Sequence, residues 1–283
     1  MDDAGLGLAV ISYDPQATLA EFAASRGITY TLLSDEGSVT IRRFGLVNTV
    51  AEMAFGPDRD DPAVAAAVRT YVSEVGAREM MVGMAFPGTL ILDREGRVTS
   101  RFFEDSYIER NTVSNVLLTL NEGTAAATEV VGTRVTTDHL ELTTYPGDGA
   151  IAPGNRFGLV VDVVPGPDMH VYAPGAEAMG YRVIRLDIDA GETFRTLEMI
   201  YPGSEIYHFE PLDERVPVFQ EPFTLVQEMT LNGSIQAQQA LRGQESLTIT
   251  GTLEYQACDA AICYNPVSVS LRWTVALRPV VFR

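Results

Sequence analysis

With 283 residues the chain is about twice the length of a typical domain, so two domains are expected. Its 46% hydrophobic and 20% charged residues exclude a mostly disordered protein. Division near Ala127 leaves 18 acids against 10 Arg before it (−8) and 20 against 10 after it (−10), which argues against nucleic acid or anionic lipid as a partner of either half.

The first 122 residues alternate strand-like and helix-like patterns. Leu8-Ala-Val-Ile-Ser-Tyr13 is a short apolar run of the kind a buried parallel strand shows. Asp14-Pro15 supplies a helix start, Leu19, Phe22 and Ala23 keep helical spacing, and Gly27 stands where the helix should end. The same punctuation recurs at Asp61-Pro62, with Val64, Val68, Tyr71 and Val75 on one face before Gly76. Thr89 to Asp93, the turn Arg94-Glu-Gly96, and Val98 to Phe103 predict a hairpin. Val113, Val116, Leu117 and Leu120 predict a closing helix, so the first domain is expected to be α/β and to span 1–122.

Glu122 to Thr128 is small, polar and aperiodic, and a linker is placed at 123–127. Beyond it the period changes to two. Phe157, Leu159, Val161 and Val163 alternate along one strand. Leu247, Ile249, Leu253, Tyr255 and Ala257 alternate along a second, and Val267, Val269, Leu271, Trp273 and Val275 along a third. Apolar-in, polar-out strands separated by Pro-Gly turns predict an all-β antiparallel sandwich over 128–283.

All 20 basic residues are Arg; with no Lys, Schiff-base lysine chemistry and a P-loop lysine are excluded. No apolar run approaches the ~18 residues of a membrane-spanning helix. Met1 to Gly7 carries no basic stretch ahead of an apolar one, so no signal peptide is visible. The two cysteines, Cys258 and Cys263, fall between the second and third alternating strands. Four intervening residues at a hairpin end can bring two Cα atoms within disulfide reach. Three uses stay open on spacing alone: a structural staple, two buried thiols, or a pair that exchanges with a partner. Closing so short a loop stabilises by only about 2 kcal/mol, which a sandwich with a full core hardly needs. A zinc site is disfavoured, since only His139, His170 and His208 could join the two cysteines.

The segment Tyr255-Gln-Ala-Cys-Asp-Ala-Ala-Ile-Cys-Tyr-Asn-Pro266, with Pro167-Asp-Met-His-Val-Tyr-Ala-Pro-Gly175 upstream, resembles the N-terminal, immunoglobulin-like domain of the thiol:disulfide interchange protein DsbD. The resemblance covers 128–283. It implies that Cys258 and Cys263 are the catalytic redox pair and that Cys263 forms the mixed disulfide. It also implies an aromatic cap, for which Phe209 and Tyr207 in Tyr207-His-Phe-Glu-Pro-Leu212 are the candidates, although that loop departs from the family pattern. Ordinary packing is the competing reading of both aromatics, and His170 and His208 are read as structural.

Residues 1–122 resemble the redoxin family, the alkyl hydroperoxide reductase and thiol-specific antioxidant proteins of thioredoxin fold. The matching stretches are Ala9 to Asp14, Tyr30 to Asp35, Ile41 to Gly45 and Gly83-Met-Ala-Phe-Pro-Gly-Thr-Leu-Ile-Leu-Asp93. The resemblance implies that Pro87 is cis. Of the family's first strand and Cys-bearing helix, Met1-Asp-Asp-Ala-Gly-Leu-Gly7 matches only the tail of the helix, and residues 1–257 contain no cysteine. A truncated domain with an incomplete sheet, unable to perform peroxidase chemistry, is therefore expected.

The reading that follows is thiol–disulfide exchange through Cys258 and Cys263, with no metal or organic cofactor and with another protein's cysteine pair as partner. Two alternatives stand beside it: a non-enzymatic binding module with a structural disulfide, and a peroxiredoxin-like antioxidant if the natural chain extends upstream of Met1. A working disulfide and the resemblance point to an extracytoplasmic, periplasmic location.

Overall fold

The computed structural model describes residues 5, 7–56, 59, 61–62, 65, 68–69, 72, 78–103, 109–120, 132–209 and 213–278. The linker placed at 123–127 lies outside them, as does much of the helix expected at 61–76. The chain divides into two compact units, Met1–Tyr107 and Ile108–Arg283.

In the first unit, β1 (Ala9–Ser12) leads through α1 (Gln16–Arg26) to β2 (Thr31–Ser34), which pairs with β1 in parallel. Helix α1 ends as expected on Gly27, whose φ of 63° is the left-handed conformation that glycine adopts without strain. Short helices α2 (Val39–Arg43) and α3 (Thr49–Phe55) follow, the latter capped by Asn48, whose side chain accepts from Ala51 N–H. The expected hairpin is formed by β3 (Gly88–Leu92) and β4 (Val98–Phe103). Its turn is held by Asp93, whose carboxylate accepts from the N–H groups of Glu95 and Arg97.

Among the described residues β1–β2 and β3–β4 remain separate two-stranded sheets. Val10, Ile11, Leu33 and Leu92, apolar residues of the strand type that a continuous sheet buries, are accordingly exposed. One expectation is corrected here. The Phe86–Pro87 bond is trans, as no cis peptide bond occurs among the described residues. The trans form is the default of an X–Pro bond by about 0.5–1 kcal/mol.

The second unit begins earlier than the composition suggested. A two-residue strand, β5 (Arg110–Asn111), and α4 (Val113–Thr119) belong to it rather than closing the first domain at residue 122. Then come β6 (Thr133–Thr136), β7 (Leu140–Pro146), β8 (Asn155–Pro165), β9 (His170–Tyr172), β10 (Arg185–Ile188), β11 (Phe194–Ile200) and β12 (Glu205–Phe209). The chain continues through β13 (Glu214–Phe219), β14 (Phe223–Leu231), α5 (Ile235–Ala240), β15 (Ser246–Tyr255), β16 (Ala257–Cys258) and β17 (Val267–Ala276). One sheet has the order β11-β14-β8-β7-β6, with β5 added parallel to β8; a second is β10-β15-β17; a third is β12-β13-β9-β16.

The alternation of the sequence is what builds this core. Phe157, Leu159, Val161 and Val163 from β8 meet Ile249, Leu253, Tyr255, Leu271, Trp273 and Val275 from β15 and β17 in one buried cluster. Burial costs Trp273 nothing in hydrogen bonding, because its indole N–H donates to the Val160 carbonyl across the sandwich at 3.1 Å.

Helix α4 covers the outer face of the large sheet. Leu118 packs on Val160 and Val226. Two glycines permit that approach, since a Cβ at Gly158 would stand 2.8 Å, and one at Gly147 2.6 Å, from Leu118 Cδ1. Polar contacts fix the helix: Thr112 caps it and donates to Asp148, while Asn115 donates to Glu228 at 2.8 Å. Leu118→Ala should therefore destabilise the sandwich by roughly 2–4 kcal/mol. The measurement is urea unfolding followed by fluorescence of Trp273, the single tryptophan of the chain. An unchanged midpoint would contradict the assignment of α4 to this unit.

Candidate functional site

The hairpin of β15 and β17 is in register to its end, where Tyr255 pairs with Val267. Beyond Tyr255 the chain leaves that sheet. Ala257 and Cys258 pair instead with Val171 and His170 of β9. This change of sheet carries the tip of the hairpin to the edge of the third sheet, and the cysteines with it.

Cys258 and Cys263 are bonded to one another, with Cα atoms 4.0 Å apart. Their surroundings differ. Cys258 is 1% exposed, whereas Cys263 and its neighbour Ile262 are exposed. The loop between them is organised by Asp259, whose carboxylate accepts from Ala261 N–H, Ile262 N–H and the Tyr264 hydroxyl at 2.7–2.8 Å. These bonds, the Ile262 amide first, hold the Asp259 carboxyl below its ordinary value. The Asp259 charge is thus engaged in shaping the turn.

On β9, residues two apart share a face, so His170 and Tyr172 stand side by side against the disulfide. The Tyr172 hydroxyl is 3.1 Å from Cys263 Sγ and 3.2 Å from Cys258 Sγ. A disulfide sulfur carries no hydrogen, so the hydroxyl is the donor in both contacts. The Tyr172 ring stacks on Tyr181 at 4.3 Å and meets His170 edge-on at 5.7 Å. Tyr181 in turn donates its hydroxyl to Glu214 at the start of β13. Burial, followed by the neighbouring Tyr181, Glu214 and Tyr207, pushes the Tyr172 hydroxyl up to about 12.

Both candidate cap residues reach this place. Tyr207 lies against the His170 ring at 4.6 Å, and Phe209 joins it in lining a small pocket of about 60 Å³ beside the disulfide. Residues 210–212 of the expected cap loop lie outside the described residues. His208 points elsewhere and contacts Asp213 at 2.8 Å, and His139 packs on Tyr264. Pro87 belongs to the other unit. Sequence reasoning missed Tyr172, Tyr181 and Glu214. The period of two in His170-Val-Tyr172 was the available signal for the first; nothing local announces the other two. No group of three or more metal-ligating side chains occurs among the described residues.

Fold and site together define a class: an α/β segment followed by a β-sandwich with one cysteine pair at the edge of a sheet. Residues 1–101 match the model of the AhpC/TSA family. Among solved structures, the chain is similar to the N-terminal periplasmic domain of ScsB from Proteus mirabilis, at 14% identity and a TM-score of 0.35, over 49% of this chain and 49% of that one. It therefore spans about half the length of that structure. It is also similar to the N-terminal domain of DsbD from Neisseria meningitidis in the reduced form, at 13% identity and a TM-score of 0.29, over 55% of this chain and 96% of that one. No curated protein matches the chain in sequence.

Burial also holds His170 below its ordinary value, against the weaker opposing pull of Asp259. The folded state thus binds fewer protons than the unfolded one just below 6.5, so this histidine makes stability fall as the pH drops through that range. Between about pH 7.5 and about pH 5.5 the urea midpoint of the wild type should fall. His170→Phe, which retains a ring against Tyr207, should show a smaller fall; an equal fall would contradict a neutral buried His170.

Proposed function

We propose that this chain is a thiol–disulfide exchange protein, in which a partner thiolate attacks Cys263 and Cys258 is the sulfur that leaves. One observation carries the reading: the disulfide is one-sided, with Cys258 buried and Cys263 open beside a pocket. Exchange requires an accessible sulfur with the departing sulfur behind it in line. A staple has no need of that asymmetry, and the large sandwich core has little need of a staple.

The dithiol itself is the electron carrier, and the partner is a protein bearing its own thiol or disulfide. Tyr207 and Phe209 serve as the aromatic shield of the pair. The redoxin segment takes no part as a nucleophile, because residues 1–257 hold no cysteine. Among the described residues no helix is long and apolar enough to cross a membrane. The chemistry belongs in a compartment where disulfides persist, such as the periplasm.

The test is a redox titration of the full chain against dithiol buffers. The pair is expected to titrate at potentials above about −300 mV, and Cys263→Ala to abolish exchange. A pair still oxidised below that potential is a structural disulfide, and the exchange function is then withdrawn.

A further inference from the structure

Attack on Cys263 creates a chemical problem at Cys258. The S–S bond breaks, and its electron pair leaves on a sulfur that is 1% exposed. Water cannot solvate that thiolate, and a buried unpaired anion is costly. The charges nearby do not help. Asp259, which lines the pocket, and Glu214 are both acidic, and the pocket lining contains no Arg. His170 is held toward its neutral form.

Resting on the exchange reading, we propose that the Tyr172 hydroxyl is the catalytic hydrogen-bond donor of this site, placed to stabilise the thiolate released at Cys258. It is the side-chain donor that already touches both sulfurs, at 3.1 and 3.2 Å, so it can follow the charge without moving. Its ring is clamped between the stacked Tyr181 and the edge of His170. The Tyr181 hydroxyl is committed to Glu214, which leaves Tyr172 directed at sulfur. Because its own pKa is pushed up to about 12, Tyr172 keeps its proton where thiolates form and acts as a donor rather than an acid.

The step balances without a further reactant. The partner thiolate forms a bond to Cys263 Sγ while the Cys258–Cys263 bond breaks, giving a mixed disulfide and the Cys258 thiolate. The partner's second thiol, as thiolate, then attacks its own sulfur in the mixed disulfide and expels the Cys263 thiolate. The partner is oxidised to its disulfide, the pair is reduced, and the two protons of the partner thiols pass to Cys258 and Cys263. Tyr172 receives each thiolate in turn and ends the cycle with its own proton in place.

The test uses the full chain and dithiothreitol as reductant. Tyr172→Phe keeps the ring and its stacking, and should slow reduction of the pair roughly ten- to a hundredfold, the size of a hydrogen bond to a charged group. The Trp273 unfolding transition should be retained. An unchanged rate in a folded Tyr172→Phe chain overturns the proposal while the exchange reading stands. A wild-type pair that no dithiol buffer reduces above about −300 mV ends the exchange reading itself, a separate result. A second measurement does not depend on the variant's folding. In the reduced Cys263→Ala chain, with Tyr172 intact, the Cys258 thiol should titrate at or below about 8.5 despite its burial, read by thiolate absorbance. A thiol pushed far above that value shows that no donor serves it and overturns the proposal.

Discussion

The site depends on one backbone pairing, that of Ala257 and Cys258 with Val171 and His170. Had the β15–β17 hairpin continued its own register, the cysteines would have stood at an isolated tip in water. By crossing to β9 the chain buries one sulfur against Tyr172 and leaves the other at the surface. The Asp259 turn then returns the chain in five residues, so the second sulfur must lie directly over the first. Asymmetry of exposure follows from the fold and needs no further device.

That pairing is held from the core outward. β9 is supported on its other side by β13, where Val218 pairs with Tyr172, and β13 by β12, which brings Tyr207 and Phe209. Below them the Trp273 indole, bonded to Val160, ties the β15–β17 hairpin to the large sheet. The aromatic pocket is therefore the rim of a packed body, with side chains placed by strand register, which limits their freedom to rearrange. The first unit is a different matter: its two-stranded sheets leave Val10, Ile11, Leu33 and Leu92 exposed.

Much of the sandwich was legible in the sequence, because a period of two on a half-buried sheet is a direct imprint of burial. The strands of Phe157 to Val163 and of Val267 to Val275 fall where alternation places them. What alternation cannot show is which sheet a strand joins, so the crossing of β16 was hidden. Helix α4 teaches the same point. Its apolar spacing was visible, but its host was decided by Asn115 meeting Glu228 and by the absence of side chains at Gly147 and Gly158. Pro87 failed for a related reason, since a cis bond is maintained by its neighbours and a motif does not report them. The cysteine pair was legible by type and spacing, whereas the Tyr172–Tyr181–Glu214 arrangement joins residues up to 42 positions apart and had no local signature.

Which sulfur a partner meets decides whether the site is one-sided. Brief exposure of the oxidised chain to a monothiol such as glutathione, followed by acid quenching and peptide mass mapping, reads this directly. The structure predicts adducts on Cys263 with Cys258 left as the free thiol. Adducts spread equally over both cysteines, or found on Cys258, would contradict the one-sided site.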